Sequence, residues 1–350
     1  MIWDLIAGFA VAAIVSLIAC RVLIALGPID HPSLARHEHK DPTPTSGGLG
    51  IALGFAAGLI LVALVPDGAW AQITFASLKR VFLALGFACI FLAIGFWDDA
   101  RPLSASIKFA AFALLSLCAS LAIGAVQSFP FGESTVLMPT WAGVAGTTLW
   151  IFVMVNGVNF MDGANGLAMG SVAIGLLALA AISADQGSMA GIAVSLTTAG
   201  ALCGFLYWNF PGGKLFAGDS GALFTGALAA LASIVVIHRT GLSPLVPPIL
   251  FFPLLADVLL TLAWRVYRRH SLLDGHSEHI YQILIRGGMS HAEIALTYWA
   301  AMAVCGGVGF LVARDPGVAP WVALPIMAFL AVVISAVVRR FADRRGVGGV

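Results

Sequence analysis

Apolar runs of about twenty residues follow one another along this chain, and the loops between them are strongly polar only at every second turn. A run of that length spans roughly 30 Å of hydrocarbon as a helix. Inside hydrocarbon the backbone must satisfy itself, which leaves helices or closed barrels, and runs this long without period-two alternation read as helices. The chain is therefore expected to be all-α and polytopic, a single integral membrane domain over residues 1–350. The expected spans are 5–27, 48–65, 81–97, 105–126, 141–159, 166–184, 189–208, 219–237, 245–264, 293–313 and 319–338, about eleven in all. Charged residues make up 10% of the chain against 60% hydrophobic, with a mean hydropathy of +0.99, so each charge near the bilayer is costly. The run 141–159 is rich in Gly and Thr. Dropping it would set the first two polar clusters opposite the last three, so the clustering argues for keeping it.

The polar clusters are Asp30 to Ser46, Asp98 to Lys108, Asn156 to Asn165, Asn209 to Ser220 and Arg265 to His291. With two spans between consecutive clusters, all of them face one side, giving site loops near 28–47, 98–104, 156–165, 209–220 and 265–292. Lys and Arg follow the same division. Arg21, Arg36, Lys40, Arg101, Lys108, Lys214, Arg265, Arg268, Arg269, Arg286 and the basic C-terminal end fall on the cluster side, and only Lys79, Arg80, Arg239 and Arg314 on the other. The positive-inside rule makes the cluster side cytoplasmic, with the N-terminus periplasmic and the C-terminus inside. Arg344 and Arg345 form a short basic tail suited to anionic lipid. No basic residue precedes the first run and Asp4 stands where one would be needed, so that run reads as a retained helix rather than a signal peptide. The Leu17-Ile18-Ala19-Cys20 string resembles a lipoprotein box without its n-region. The five cysteines are scattered singly through apolar runs, which indicates neither a disulfide framework nor a Cys-type metal site.

Asp98 and Asp99 close an apolar run at the membrane edge. Adjacent carboxylates repel there unless a cation or proton relieves them. They serve either a divalent cation or phosphate-bearing substrate, or a structural pairing in which one caps the helix beginning near Ser104 and Arg101 neutralises the other. Asn156, Asn159, Asp162 and Asn165 gather amides and a carboxylate within ten residues, with glycines between them. That is an Asn-Gly/Asp-Gly turn at the least. It is also a set of oxygen donors suited to Mg2+, which keeps waters and takes substrate phosphates. Asp219 precedes another apolar run, as a helix cap or as a carboxylate joining a metal to its anionic ligand. Asp257 lies inside a run and needs an interior partner, for which Arg265 is two turns away. His276 and His279 have the spacing of zinc ligands, but no third ligand is placed to complete a site. Beside basic residues, imidazoles suit phosphate oxygens. Arg36 and His39 stand among prolines in the first loop, where a plain connector would not need them.

Taken together these clusters resemble the polyprenyl-phosphate N-acetylhexosamine-1-phosphate transferases, glycosyltransferase family 4. Thr43-Pro44-Thr45-Ser46-Gly47-Gly48 looks like the family's first-loop motif, and Asp98-Asp99 its acidic pair. Asn159-Phe160-Met161-Asp162-Gly163 with Asn165-Gly166-Leu167 resembles its Asn/Asp motif, Gly218-Asp219-Ser220-Gly221 its metal-site motif, and Pro253 with Asp257 its ninth-helix pattern. Many members carry His-x-His-His in the last loop. Here His276-x-x-His279-x-Tyr281-Gln282 is closer to the O-antigen-initiating branch that uses deoxy-N-acetylhexosamines.

The resemblance implies transfer of a sugar-1-phosphate from a UDP-N-acetylhexosamine to undecaprenyl phosphate, with release of UMP, in the bacterial inner membrane. It implies Mg2+, with Mn2+ as a substitute, held by Asn159 and Asp219 with Asp162 close by. Asp98, Asp99 and Asp162 would be catalytic, and Arg36, Asn156, Asn165, Asp257, His276 and His279 would bind substrate. A homodimer fits the family, and no nucleic-acid partner is expected. A phosphate monoester with a second pKa near roughly 6 is largely a dianion at neutral pH, so single displacement needs little base catalysis. The rival route passes through an aspartyl-phosphate. A polytopic transporter would need charge deep in several spans, where only Asp257 qualifies. A CDP-alcohol phosphotransferase would need an Asp-Gly-x-x-Ala-Arg motif and downstream acids that Asp162-Gly163-Ala164-Asn165-Gly166-Leu167 lacks.

Overall fold

The structure is a computed structural model that describes residues 2–26, 29–30, 43–272 and 274–346. Helices α1 (Ile2–Leu26), α2 (Gly47–Leu64), α3 (Phe75–Ala100), α4 (Ala105–Ile123) and α5 (Thr140–Met161) make up its first half. Then come α6 (Leu167–Asp185), α7 (Met189–Asn209), α8 (Gly218–Thr240), α9 (Val246–Leu250) and α10 (Phe252–Tyr267). The chain closes with α11 (Ile280–Arg286), α12 (His291–Val312) and α13 (Ala319–Arg344). Antiparallel pairs β1 (Ile29–Asp30) with β2 (Thr43–Pro44), and β3 (Ser128–Phe131) with β4 (Ser134–Leu137), give two small ladders that the apolar pattern did not announce. Both lie in connectors, where backbone groups at a bilayer edge still need partners.

Among the described residues, ten helices are long and apolar enough to cross a membrane. They match ten of the eleven expected runs, including 141–159, which is α5. The run 245–264 differs, because it is broken at Phe251 into α9 and α10. Pro247, Pro248 and Pro253 lack N–H groups, and the Pro253 ring conflicts with the carbonyl four residues earlier, so one continuous helix cannot form. Helix α3 begins at Phe75 rather than 81. Thr74 caps it by accepting the Ser77 N–H, and the charges of Lys79 and Arg80 had masked its first turns. Cys20 is buried inside α1.

Helix α8 is the axis of the bundle. A helix apolar on all sides seeks complete burial, and the membrane-crossing window of α8 is buried throughout. Helices α2, α3, α5, α6 and α7 pack around it. Its small residues allow close approach, and two neighbours meet its first turn with glycines. A Cβ on Gly95 of α3 would stand 2.5 Å from the Ser220 backbone, and one on Gly48 of α2 would stand 2.3 Å from Gly221 N. Those contacts bring the ends of α2, α3 and α8 together.

The polar clusters gather at that same end. Phe216 N–H donates to Pro44 O (2.8 Å), Gly47 N–H to Phe216 O (2.9 Å) and Gly48 N–H to Ala217 O (2.9 Å). Gly166 N–H donates to Asn209 Oδ1 (2.6 Å), and Tyr281 OH to Phe160 O (3.3 Å). At the opposite end the β3–β4 hairpin is held by Gly132 N–H to Gly317 O (2.9 Å) and Trp321 Nε1–H to Pro130 O (2.8 Å).

Candidate active site

The acidic pair sits where α3 stops. The Asp99 carboxylate accepts the Asp219 N–H (2.8 Å) and the Ser220 N–H (3.1 Å), the first free donors of α8. A carboxylate there satisfies orphan N–H groups and meets the positive end of the helix dipole. Asp98 is buried. It accepts the Leu103 N–H (2.7 Å) and pairs with the Lys108 ammonium, which also reaches Asp219 Oδ2 at 2.9 Å. Asn159 Nδ2–H donates to the other Asp219 oxygen at 2.9 Å. Three of the polar clusters thus bring Asp98, Asp99, Asn159 and Asp219 into one constellation around Lys108. The pairing of Arg101 with the acidic pair is overturned: its guanidinium lies over the Trp97 ring, 5.6 Å from the centroid. Lys108 was missed as a site residue. Its signal was a lone charge one turn into an apolar run, the same signal that singled out Asp257.

Asp162 ends α5, its N–H donating to Asn159 O (3.3 Å). Among the described residues no hydrogen-bond donor reaches its carboxylate. Burial, then the charges of Asp219 and Asp99, push its pKa well above the usual carboxylate range. A folded-state pKa raised above the unfolded one means that the folded form binds more protons, so stability falls as pH rises above about 4. In the presence of a chelator, the melting temperature is expected to drop between pH 5.5 and 8, and Asp162→Asn is expected to flatten that drop. Parallel curves for the two proteins would show that Asp162 carries no such strain.

Asn156 is buried and donates to Phe152 O (2.8 Å) within α5. Asn165 ties two loops together through its N–H to His291 Nδ1 (3.3 Å) and its amide to Pro211 O (3.1 Å). Arg36 and His39 lie outside the described residues.

The last loop is organised by Asp257. Its carboxylate accepts the Ile280 N–H (2.8 Å), the Tyr281 N–H (3.1 Å) and the Tyr298 OH (2.6 Å), and His279 Nδ1 stands 3.5 Å away. Asp257 thus caps α11 and orients an imidazole. The expected partner Arg265 instead pairs with Glu278 at 3.0 Å and donates to Ser271 O. Glu278 comes closer because the chain folds back from α10 to α11, a reversal invisible to helical spacing. His279 packs between the rings of Phe160, His276 and Tyr281, at centroid distances of 6.1, 5.1 and 6.0 Å. Burial, then His279 and Arg265, hold the His276 pKa down at about 4, so the ring is neutral at pH 7. Its Nδ1 accepts the Glu278 N–H (3.4 Å), which leaves Nε2–H free to donate. Arg339, at the basic C-terminal end expected on the cluster side, is buried in α13 and donates to Thr261 Oγ1 (3.0 Å) and Glu278 O (3.1 Å).

Two apolar grooves flank α5 and share Leu149. One, of about 460 Å³, runs between α5, α8 and the α9–α10 break, past Trp150, Val153, Pro247 and Leu255. The other, of about 560 Å³, runs between α4 and α5, past Leu117, Val144 and Phe152. Phe152 stacks on Phe109, the neighbour of Lys108.

The family model for glycosyl transferase family 4 matches residues 81–237. That stretch holds Asp98, Asp99, Lys108, Asn159, Asp162 and Asp219, while the loop of His276 and His279 lies beyond it. The chain is 28% identical to a probable undecaprenyl-phosphate N-acetylglucosaminyl 1-phosphate transferase of Bacillus subtilis, over 82% of this chain and 77% of that protein. It is 29% identical to a decaprenyl-phosphate N-acetylglucosaminephosphotransferase of Mycolicibacterium smegmatis, over 85% and 79% of the two chains. A phospho-N-acetylmuramoyl-pentapeptide-transferase of Desulforudis audaxviator is 28% identical, over 83% and 95%. The chain is thus similar to glycosyl transferase family 4 over residues 81–237.

The donor set around Asp219 can be tested against a divalent cation. Among the described residues, no three His, Cys, Asp or Glu side chains are placed to hold a metal ion together, so any cation here would need amide, water or substrate oxygens as well. The oxygens present are those of Asp219, whose side chain is 30% exposed, of the adjoining Asn159 amide, and of Asp162 with no donor of its own. An open, oxygen-only set fits Mg2+, which retains waters and completes its shell with substrate phosphates, and not a structural zinc.

Proposed function

We propose that the protein transfers an N-acetylhexosamine 1-phosphate from a UDP-sugar to undecaprenyl phosphate, releasing UMP, at the cytoplasmic face of the bacterial inner membrane. The observation that carries this reading is the juxtaposition of two things. A carboxylate, amide and ammonium cluster stands at one end of the bundle, and apolar grooves run along α5 from the opposite end as far as Phe152 and Val153, with Phe152 meeting Phe109 next to Lys108. The activities for which the relatives are named support a polyprenyl-phosphate acceptor. The bias of Lys and Arg to the cluster end supports a cytoplasmic face, where nucleotide sugars are made.

Asp219 and Asn159 would hold Mg2+ or Mn2+, with Asp162 beside them. A cation bound there supplies charge neutralisation on the pyrophosphate and polarises the phosphorus under attack. The chain's own residues do the rest. Asp99, by capping α8, fixes where Asp219 points. Neutral His276 offers Nε2–H to a phosphate oxygen without a change of charge near pH 7. His279 is oriented for the same purpose by Asp257, and Arg36 would add a cation from the first loop. The polyprenyl tail lies in a groove beside α5, with its phosphate dianion at the inner end as the nucleophile. Because Asp98 and Asp99 each accept donors already, they position the site rather than take a proton, which favours single displacement.

The loop of His276 and His279 supports a donor of the deoxy-N-acetylhexosamine type and a product that starts a cell-surface glycan such as O-antigen. The test is purified protein with undecaprenyl phosphate, Mg2+ and a panel of UDP-sugars, including UDP-N-acetylglucosamine, UDP-N-acetylfucosamine and UDP-N-acetylmuramoyl pentapeptide. UMP release that depends on the lipid is expected with at least one donor. None with any would overturn the transferase reading, and a stoichiometric UMP burst without lipid would favour the covalent route.

A further inference from the structure

Both oxygens of the Asp219 carboxylate are already taken by donors. Asn159 directs its Nδ2–H at one of them, and Lys108 its ammonium at the other, each at 2.9 Å. A cation cannot share an oxygen lobe with an N–H that points at it. Each oxygen keeps a second lone pair, but a divalent cation on it would stand within a few ångströms of the ammonium. The Asn159 amide therefore turns if its oxygen is to join, and the ammonium is driven away when Asp219 ligates a metal. Lys108 has somewhere to stay when that happens, because Asp98, buried at the end of α3, is its second partner. Asp98 is itself pinned by the Leu103 N–H, so the ammonium pivots on a fixed anchor. Lys108 is also the one cation with a contact recorded to these carboxylates among the described residues.

We infer that Lys108 is the resident counter-ion of the cation site, and that its ammonium and a divalent cation compete for Asp219. This inference rests on the transferase reading above. The protein by itself then binds the metal weakly, and the metal enters together with the donor pyrophosphate, whose charges both hold the cation and receive the displaced ammonium. Binding of metal and donor becomes coupled through one side chain, and a metal ion is kept off the carboxylates when no substrate is present.

The test measures Mn2+ binding to purified protein by electron paramagnetic resonance and equilibrium dialysis, with and without UDP. In the parent protein UDP is expected to tighten Mn2+ binding. Lys108→Gln keeps a hydrogen-bond donor for Asp98 but removes the charge, and is expected to tighten Mn2+ binding without UDP by about ten-fold, shrinking the effect of UDP. Lys108→Arg, which keeps the charge, is expected to stay weak. If Lys108→Gln leaves Mn2+ affinity unchanged and weakens only UDP, Lys108 is a phosphate ligand and the inference is overturned. Equal behaviour of the Gln and Arg variants overturns it as well. A wild-type arm covers the case in which the Gln variant does not fold: amine labelling of Lys108, read by mass spectrometry without UDP, is expected to rise at Mg2+ concentrations high enough to fill the weak site, and unchanged labelling there counts against competition. Parent protein that binds no Mn2+ even with UDP would instead bring down the metal-dependent transferase reading itself.

Discussion

Asp219→Ala is expected to abolish transfer while the protein still inserts and folds. Its carboxylate is partly exposed, and what it loses are contacts from Lys108, which keeps Asp98, and from Asn159, whose half-buried amide can turn to water. The helix start is untouched, because it is Asp99 that caps the backbone of α8. Stability should therefore shift little. Activity should fall by about 10³-fold or more, or about 4 kcal/mol of transition-state stabilisation, because this is the carboxylate at the centre of the proposed cation site. Initial rates of UMP release, compared with melting temperature in the same detergent, separate the two effects. Near-normal turnover would remove the proposed cation site.

Asp257→Ala should do the reverse, damaging the fold first. The carboxylate is buried and receives two backbone N–H groups, a tyrosine hydroxyl and the Thr261 hydroxyl (3.3 Å), with His279 beside it. Removing it leaves the α11 N-terminus and Tyr298 OH without an acceptor in the interior. Loss of a buried charged partner of this kind costs about 3–5 kcal/mol. The melting temperature should drop sharply, and the segment 270–290 should become the fastest-exchanging part of the protein by hydrogen–deuterium exchange. Asp257→Asn keeps one acceptor oxygen and should lose less stability, yet it no longer fixes His279, so its donor KM should rise. An Asp257→Ala protein as stable as the parent would show that the cap is dispensable.

Much of this architecture was legible before any coordinates. Ten spans could be read because burial in hydrocarbon imposes a local rule, about twenty apolar residues without unpaired polar groups. The eleventh was misjudged in form because three prolines interrupt hydrogen bonding without lowering hydropathy. The gathering of the clusters at one end follows from counting crossings, and the contacts of Phe216 with Pro44 and of Tyr281 with Phe160 bear it out. Partner choice was not legible. Arg265 lies two turns from Asp257 along one helix and still pairs with Glu278, while Lys108 meets Asp219 across 111 positions of sequence. Arg339 falls among the cluster-side charges of the sequence and sits on that side beside Glu278, but which residues it meets was not legible. It is buried because α13 continues to Arg344 and lies against α10 and α11.

The sequence by itself determined the solvent this protein lives in, the positions of most of its helices and the end of the bundle where its polar clusters gather, since hydropathy and charge act on each stretch of chain separately. Only the tertiary structure decided which charge neutralises which. Within a low-dielectric bundle, pairing depends on distances of a few ångströms between different helices. Those distances are set by close approaches such as Gly95 against Ser220, which no single stretch encodes.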